Sequence, residues 1–174
     1  MTFIEPISRE EATERGLGPA LDTFAEMGDA EAVFTRILAH APKYAEALWG
    51  AMSEALYQGG VDHRLKELIR LQLAATAGDT YFSSLRSAEA TAAGLTEGLV
   101  EAGLEGFGDD PQFTEAEKWA LSYSYLMYRE PEKLDAAFYD EGKQHFTEAQ
   151  IMEIGGLVAI HYGMQVFMRT LQSE

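Results

Sequence analysis

Three side chains near the middle of the chain have the chemistry and spacing of a reactive site. Glu67 sits at the edge of an apolar arc formed by Leu65, Leu68, Ile69 and Leu73 at helical spacing. A carboxylate at such an edge is expected to be half buried, with a raised pKa, and able to move protons. The plainer alternative is an ion pair with Arg64 or Arg70, each three residues away. Arg86 cannot deprotonate at working pH, so it cannot relay protons, but its planar fork could hold a carboxylate or enolate oxygen. Its plainer role is a surface pair with Glu89, on the same predicted helical face as Phe82. Asp79 follows Gly78 and is expected chiefly to cap the next helix, accepting from the free amides at its start.

The remaining candidates would line a pocket rather than react. His161 lies between Ile160 and Tyr162 in the last predicted helix, and of the four histidines it is the one placed to face a cavity. Tyr81 and Phe82 belong to a rich aromatic set with Trp49, Trp119, Tyr123, Tyr125, Tyr128 and Tyr162. Most of that set is core, and part of it could receive a small ring-like or carbonyl-bearing ligand. No histidine pair has ligand spacing, so neither a metal nor another cofactor is expected. No phosphate-binding glycine loop or serine elbow is present.

Helices must position these groups. Asp62 is placed as an N-cap and Gly78 as a C-cap of one helix. A second helix follows Asp79 towards Leu95, so Val61 to Leu95 reads as a helical hairpin. On a straight hairpin Glu67 lies about 18 Å and Arg86 about 10 Å from the turn, and the two are expected to lean together. The residues from Met1 to Pro6 read as an extended arm, within an N-terminal region of short helices reaching residue 28. Ser8 and Glu11 form a capping box, and Asp29 starts a helix through Val33, Ile37 and Leu38. Pro42 opens a helix closed by Gly59-Gly60, and Thr96 caps a short one to about Ala102. Residues from Gly103 to Gln112 are a loop, and a short helix is expected around Leu134 to Phe138. Thr114 with Glu117, and Thr147 with Gln150, are capping boxes opening the two C-terminal long helices. No stretch alternates as a strand does, so the fold class is all-α, with residues 1–174 as one domain.

Composition removes several functions. Acidic residues outnumber basic ones 29 to 13, for a formal charge of −16, which opposes nucleic acid and anionic membranes as partners. There is no cysteine, which excludes disulfides, thiolate metal sites and any peroxidase cycle on a thiolate. The N-terminus lacks a basic segment followed by an apolar run, and the purely apolar runs are short, so no signal peptide and no bilayer-spanning segment are expected. A cytoplasmic protein is the default expectation.

Arg64, Lys66, Glu67, Leu68, Ile69, Leu71, Ala74 and Gly78, followed by Ala90, Gly94 and Leu95, resemble the motif of the carboxymuconolactone decarboxylase family, which includes alkylhydroperoxidase D. The resemblance runs from about Phe34 to the C-terminus. It places the family's relay glutamate on Glu67, its two redox cysteines on Asp79 and Phe82, and its active-site histidine on Arg86. It implies an oligomeric all-helical bundle, trimer or hexamer, and acid–base chemistry of decarboxylase or lyase type on a small organic acid or lactone. Glu67 would be the acid or base and Arg86 the anion anchor. The alternative is a non-catalytic ligand-binding or structural oligomer of the same fold. A pocket enclosing Glu67 and Arg86 would favour the first; an exposed Glu67 or a filled interior would favour the second.

Overall fold

Helix α5, His63–Ala77, is buried on every side from Leu65 to Ala74. A helix apolar only on one face could not be buried so; here Lys66, Glu67 and Arg70 are paired inside the protein, and Gln72 donates to the Gly103 carbonyl while its Oε1 is left without a partner. In this computed structural model, which describes residues 2–172, the other helices surround it. They are α1 (Arg9–Ala12), α2 (Gly18–Glu26), α3 (Val33–Leu38), α4 (Pro42–Tyr57), α6 (Thr80–Ser84), α7 (Ala88–Ala92), α8 (Glu97–Leu104), α9 (Glu115–Arg129), α10 (Ala136–Gly142) and α11 (Glu148–Leu171). A π-helical turn, Thr13–Leu17, joins α1 to α2, and a 3₁₀ turn, Pro131–Lys133, follows α9. The fold is all-α, and among the described residues the one sheet-like pairing is a bridge between Thr2 and Gln172.

Side chains close the helix ends as their sequence signals require. Asp62 Oδ1 accepts from the Leu65 amide, Thr96 from Leu99, and Asp135 from Phe138. Thr114 with Glu117 and Thr147 with Gln150 form reciprocal capping boxes. Gly78 ends α5 at φ 66°, a left-handed position. The loop from α4 to α5 is held from far along the chain. Glu153 of α11 accepts from the Gly60 and Val61 amides at 2.9 and 3.1 Å and pairs with the buried Lys66, which also donates to the Gln58 carbonyl. Gly59, at φ 98°, has that carboxylate against its backbone, so a side chain there would collide with it.

Two apolar clusters share α5 and α11. One gathers Leu65, Leu68, Trp119, Leu121, Ile154 and Val158; the other gathers Phe24, Phe34, Met52, Ala74, Phe82 and Met168.

Two expectations require correction. The segment after Asp79 is not one helix but two short ones, because the chain leaves helical geometry at Leu85 (ψ 145°) and Ser87 (ψ 123°). Phe82, Arg86 and Glu89 therefore share no helical face. Second, α11 has 24 residues and is long and apolar enough to cross a membrane by length and composition, although its purely apolar runs are short. It packs as a core helix, with Ile151, Ile154, Leu157, Val158, His161, Gln165, Met168 and Leu171 buried along its length.

Candidate functional site

The break between α6 and α7 exists because α5 supplies its hydrogen bonds. Arg70 donates through Nη1 to the Phe82 carbonyl and through Nη2 to the Leu85 carbonyl, both at 2.8 Å. The Phe82 carbonyl is the one an unbroken helix would pair with the Arg86 amide, which instead donates to the Met27 carbonyl at 3.0 Å. Ser87 caps α7, and its own amide donates to Glu67 Oε1 at 2.9 Å.

Glu67 is thus fully buried and paired with Arg70 in a bidentate fork, Nε to Oε2 and Nη2 to Oε1, both 2.7 Å. Burial alone would raise its pKa; the Arg70 charge and hydrogen bonds, with the Ser87 amide, outweigh burial and hold it below the usual carboxylate range. The expected raised pKa is corrected: Glu67 stays ionised and is poorly suited to act as a general acid or base. Of its two ordinary partners, Arg70 takes it, while Arg64 turns to Glu117.

Arg86 does not meet Glu67. Its guanidinium forks onto Glu97 at 2.8 Å twice and donates to the Ser83 and Leu85 carbonyls. The predicted contact fails because the helix break turns the chain at Arg86 outward, and Arg70 already occupies the position facing Glu67. Nor does Arg86 pair with Glu89. Asp79 caps α6 through Oδ1, accepting from the Tyr81 amide at 2.8 Å. Its Oδ2 is buried without a partner, and burial raises its pKa.

His161 has the opposite environment to Glu67. It is 3 % exposed, and neither ring nitrogen makes a hydrogen bond. Burial, then the nearby Arg70 charge, push its pKa down to about 4, so the ring is neutral at neutral pH; the Glu67 charge and then the nearby Met52 carbonyl oppose this only in part. It faces a cavity of ≈ 20 Å³, room for about one water, lined by Phe24, Trp49, Met52, Tyr57, Arg70 and Phe82 among others. Tyr81 does not reach this cavity. Its hydroxyl donates to Asp29 Oδ2 at 2.6 Å, so its expected place in the pocket is corrected, while Phe82 and His161 are among the residues that line the cavity.

Beyond Tyr57 and Met27 lies an open cleft of ≈ 290 Å³ lined by Thr23, Glu26, Ser87, Ala88 and Glu89. Cavity and cleft share Thr23, Met27 and Tyr57, and the Tyr57 hydroxyl meets the Met27 sulfur at 3.5 Å between them. The Tyr57 ring stacks on His63 at 4.9 Å. His63 donates from Nδ1 to the Leu56 carbonyl, an acceptor only, and meets the Ser87 hydroxyl through Nε2 at 2.7 Å. A wider cleft of ≈ 720 Å³, between the C-terminal half of α5, α8 and α9, contains no buried ionisable group. Sequence reasoning missed Tyr57 and Met27 as site residues; their helical spacing with Trp49, Met52 and Phe24 carries no signal beyond that of core.

The arrangement therefore presents one neutral imidazole to a water-sized cavity, which Tyr57 and Met27 part from the open cleft. The model of the carboxymuconolactone decarboxylase family matches residues 42–125, which span α4 to most of α9 and include Glu67, Arg70, Asp79 and Phe82. Among solved structures, the debrominase Bmp8, in a cysteine-to-alanine variant bound to 2,3,4-tribromopyrrole, superposes with TM-score 0.79 at 23% identity, over 100% of this chain and 92% of its own. An uncharacterised peroxidase-related protein with an alkylhydroperoxidase AhpD core, from Ralstonia eutropha JMP134, gives 0.75 at 14% identity, over 97% and 90%. A protein of unknown function from Agrobacterium tumefaciens, placed with the antioxidant-defence protein AhpD, gives 0.68 at 17%, over 79% and 93%. These likenesses establish the fold; comparison with curated proteins finds no match. The family-model match over residues 42–125 and the shared fold support a carboxymuconolactone decarboxylase/AhpD-like family member, one whose sequence holds no cysteine.

Proposed function

We propose that this protein binds a small ring-like organic molecule of the acid-or-lactone class and carries out acid–base chemistry on it, of decarboxylase or lyase type. One observation carries the reading: His161 is buried, neutral and without a hydrogen bond at the end of an aromatic cavity. A buried polar group without a partner is costly, and a ligand carbonyl or hydroxyl supplies the partner. His161 then takes the acid–base role that the locked Glu67 is poorly suited to fill. The Glu67–Arg70 pair becomes the frame that fixes Phe82 and the α6–α7 break against the cavity. A thiol peroxidase cycle is excluded by composition.

The test is a thermal-shift screen of small lactones and ring acids, followed by turnover assays on those that bind. His161→Phe is expected to lower turnover by about 10²–10⁴-fold, the range of a lost general acid or base. Unchanged turnover in that variant would end the assignment.

The second reading is a ligand-binding or structural oligomer without catalysis, which the fully paired Glu67 and the closed interior favour. Binding without turnover across the screen would select it. Both readings are proposed for a homo-oligomer, trimer or hexamer; Met152 (74 % exposed), Val166 and Phe167 on α11, with Tyr128 on α9, leave apolar surface for a second copy. A light-scattering mass of one chain at micromolar concentration would reject assembly.

A further inference from the structure

Ser87 and His63 stand outside the His161 cavity, at the open cleft. Ser87 opens α7 and lines that cleft of ≈ 290 Å³ together with Thr23, Glu26, Tyr57 and Glu89. Its hydroxyl lies 2.7 Å from His63 Nε2. The other ring nitrogen, Nδ1, is 2.9 Å from the Leu56 carbonyl, which can only accept. In the neutral ring the proton therefore sits on Nδ1, and Nε2 accepts from the Ser87 hydroxyl. A hydroxyl, a base hydrogen-bonded to it and a third group that orients the base are the parts of an activated serine. The bond is not needed to hold the turn. Ser87 already caps α7 by accepting from the Ala90 amide at 3.3 Å, and its own amide is fixed on Glu67 at 2.9 Å.

Acyl transfer also needs a donor for the carbonyl oxygen, and Tyr57 lines the same cleft. Its ring stacks on His63, and its hydroxyl has only a weak acceptor, the Met27 sulfur at 3.5 Å. Burial, then the Glu67 charge, push its pKa up to about 12, so the proton is retained at neutral pH. Glu67 stays ionised and lies within range of the charge that His63 gains on protonation, which favours the imidazolium.

We infer that Ser87 and His63 form a catalytic dyad that hydrolyses a small uncharged ester or lactone in the open cleft, with Tyr57 as the donor to its carbonyl oxygen. This activity is separate from the chemistry assigned to His161 and requires no passage between cleft and cavity. The Ser87 oxygen bonds to the carbonyl carbon while its proton passes to His63 Nε2, and the C=O electron pair moves onto the oxygen that Tyr57 holds. Return of that pair breaks the bond to the leaving oxygen, which takes the proton from His63 and becomes an alcohol. Water then gives one proton to His63 and its oxygen to the acyl carbon. Ser87 departs with that proton, and a carboxylic acid is released. Glu26 and Glu89, both exposed on the cleft walls, oppose a substrate that carries a carboxylate.

The test uses the full chain, p-nitrophenyl acetate as substrate and diisopropyl fluorophosphate as a serine probe. Hydrolysis is expected to exceed that of the urea-unfolded chain, and mass spectrometry should find one diisopropylphosphoryl group, on Ser87. Ser87→Ala and His63→Phe should each lower kcat/KM by at least about 10²-fold. Tyr57→Phe should lower kcat by about 10²-fold with KM nearly unchanged, as for a lost oxyanion donor. Hydrolysis no faster than in the unfolded chain, or no phosphorylation of Ser87, overturns the dyad whatever the variants do. Ser87→Cys adds a second measure, because it places a single thiol in a chain that has no other. Iodoacetamide should alkylate it at least about tenfold faster than in Ser87→Cys/His63→Phe. A thiol inert in the folded protein would mean that position 87 does not open to the cleft, and equal rates would mean that His63 is not its base. Either result overturns the dyad.

Discussion

Two arginine–glutamate pairs lie within one short stretch of backbone and behave as opposites. Arg70 and Glu67 are 1 % and 0 % exposed; Arg86 and Glu97 are 29 % and 68 % exposed. Both are bidentate forks of nearly the same length. Geometry alone would rank them equal. What separates them is the availability of water to replace a lost partner, and the number of backbone groups that depend on each. The inner pair holds two carbonyls and one amide at the α6–α7 break. The outer pair holds the Arg86 side chain beside the Ser83 and Leu85 carbonyls, the second of which Arg70 also holds.

The largest effect should come from breaking the inner pair. Glu67→Gln leaves the Arg70 charge buried and unmatched, and is expected to destabilise the protein by about 3–5 kcal/mol in denaturant unfolding. A loss under about 1 kcal/mol would mean that water reaches Arg70. Next comes a pH effect at His161. The unfolded ring takes a proton near pH 6.5 and the folded ring only near pH 4, so the unfolded state binds more protons between those values. Stability should therefore fall as pH drops from about 6.5 to 4, by on the order of 3 kcal/mol in all, and then level off for this group. His161→Phe should remove that slope and leave the loss below pH 4.5 that comes from Glu67, whose folded pKa is depressed. Chemical denaturation at pH 7, 5.5, 4 and 3, in the wild type and in His161→Phe, distinguishes the two windows.

Smaller still is the outer pair. Arg86→Met should cost less than about 1 kcal/mol, because both partners are partly solvated. Smallest is the coupling between the pairs: a double-mutant cycle on Glu67→Gln and Arg86→Met should give an interaction energy near zero, within about 0.5 kcal/mol. A coupling above about 1 kcal/mol would bring Arg86 back into the Glu67 site.

Local chemistry made the fold readable and left the pairing unread. Asp62, Asp79, Thr114 and Thr147 announce helix starts through side chains that reach only two or three residues, and Gly78 announces a helix end through its left-handed backbone, so each cap can be placed from the sequence and is found in place. His161 and Phe82 also stand where an apolar helix face and an aromatic set put them. The choice of Arg70 over Arg86 for Glu67 is different in kind. Arg64 and Arg70 have the same spacing from Glu67, and only the carbonyls of Phe82 and Leu85, brought back by the next segment, make one of them tolerable inside. The break that supplies those carbonyls has no glycine or proline to mark it. It follows from Arg70 being buried, a fact that appears only once α4, α5, α6 and α11 are packed together.

The Glu153 carboxylate that grips the Gly60 and Val61 amides has a kinetic meaning. It ties the α4–α5 loop to a residue more than ninety positions away, so α5 cannot settle its N-terminal end until the last helix has arrived. The loop should be among the final segments to gain amide protection during refolding. On a ribosome, this chain should hold its central helix incompletely seated until α11 has emerged.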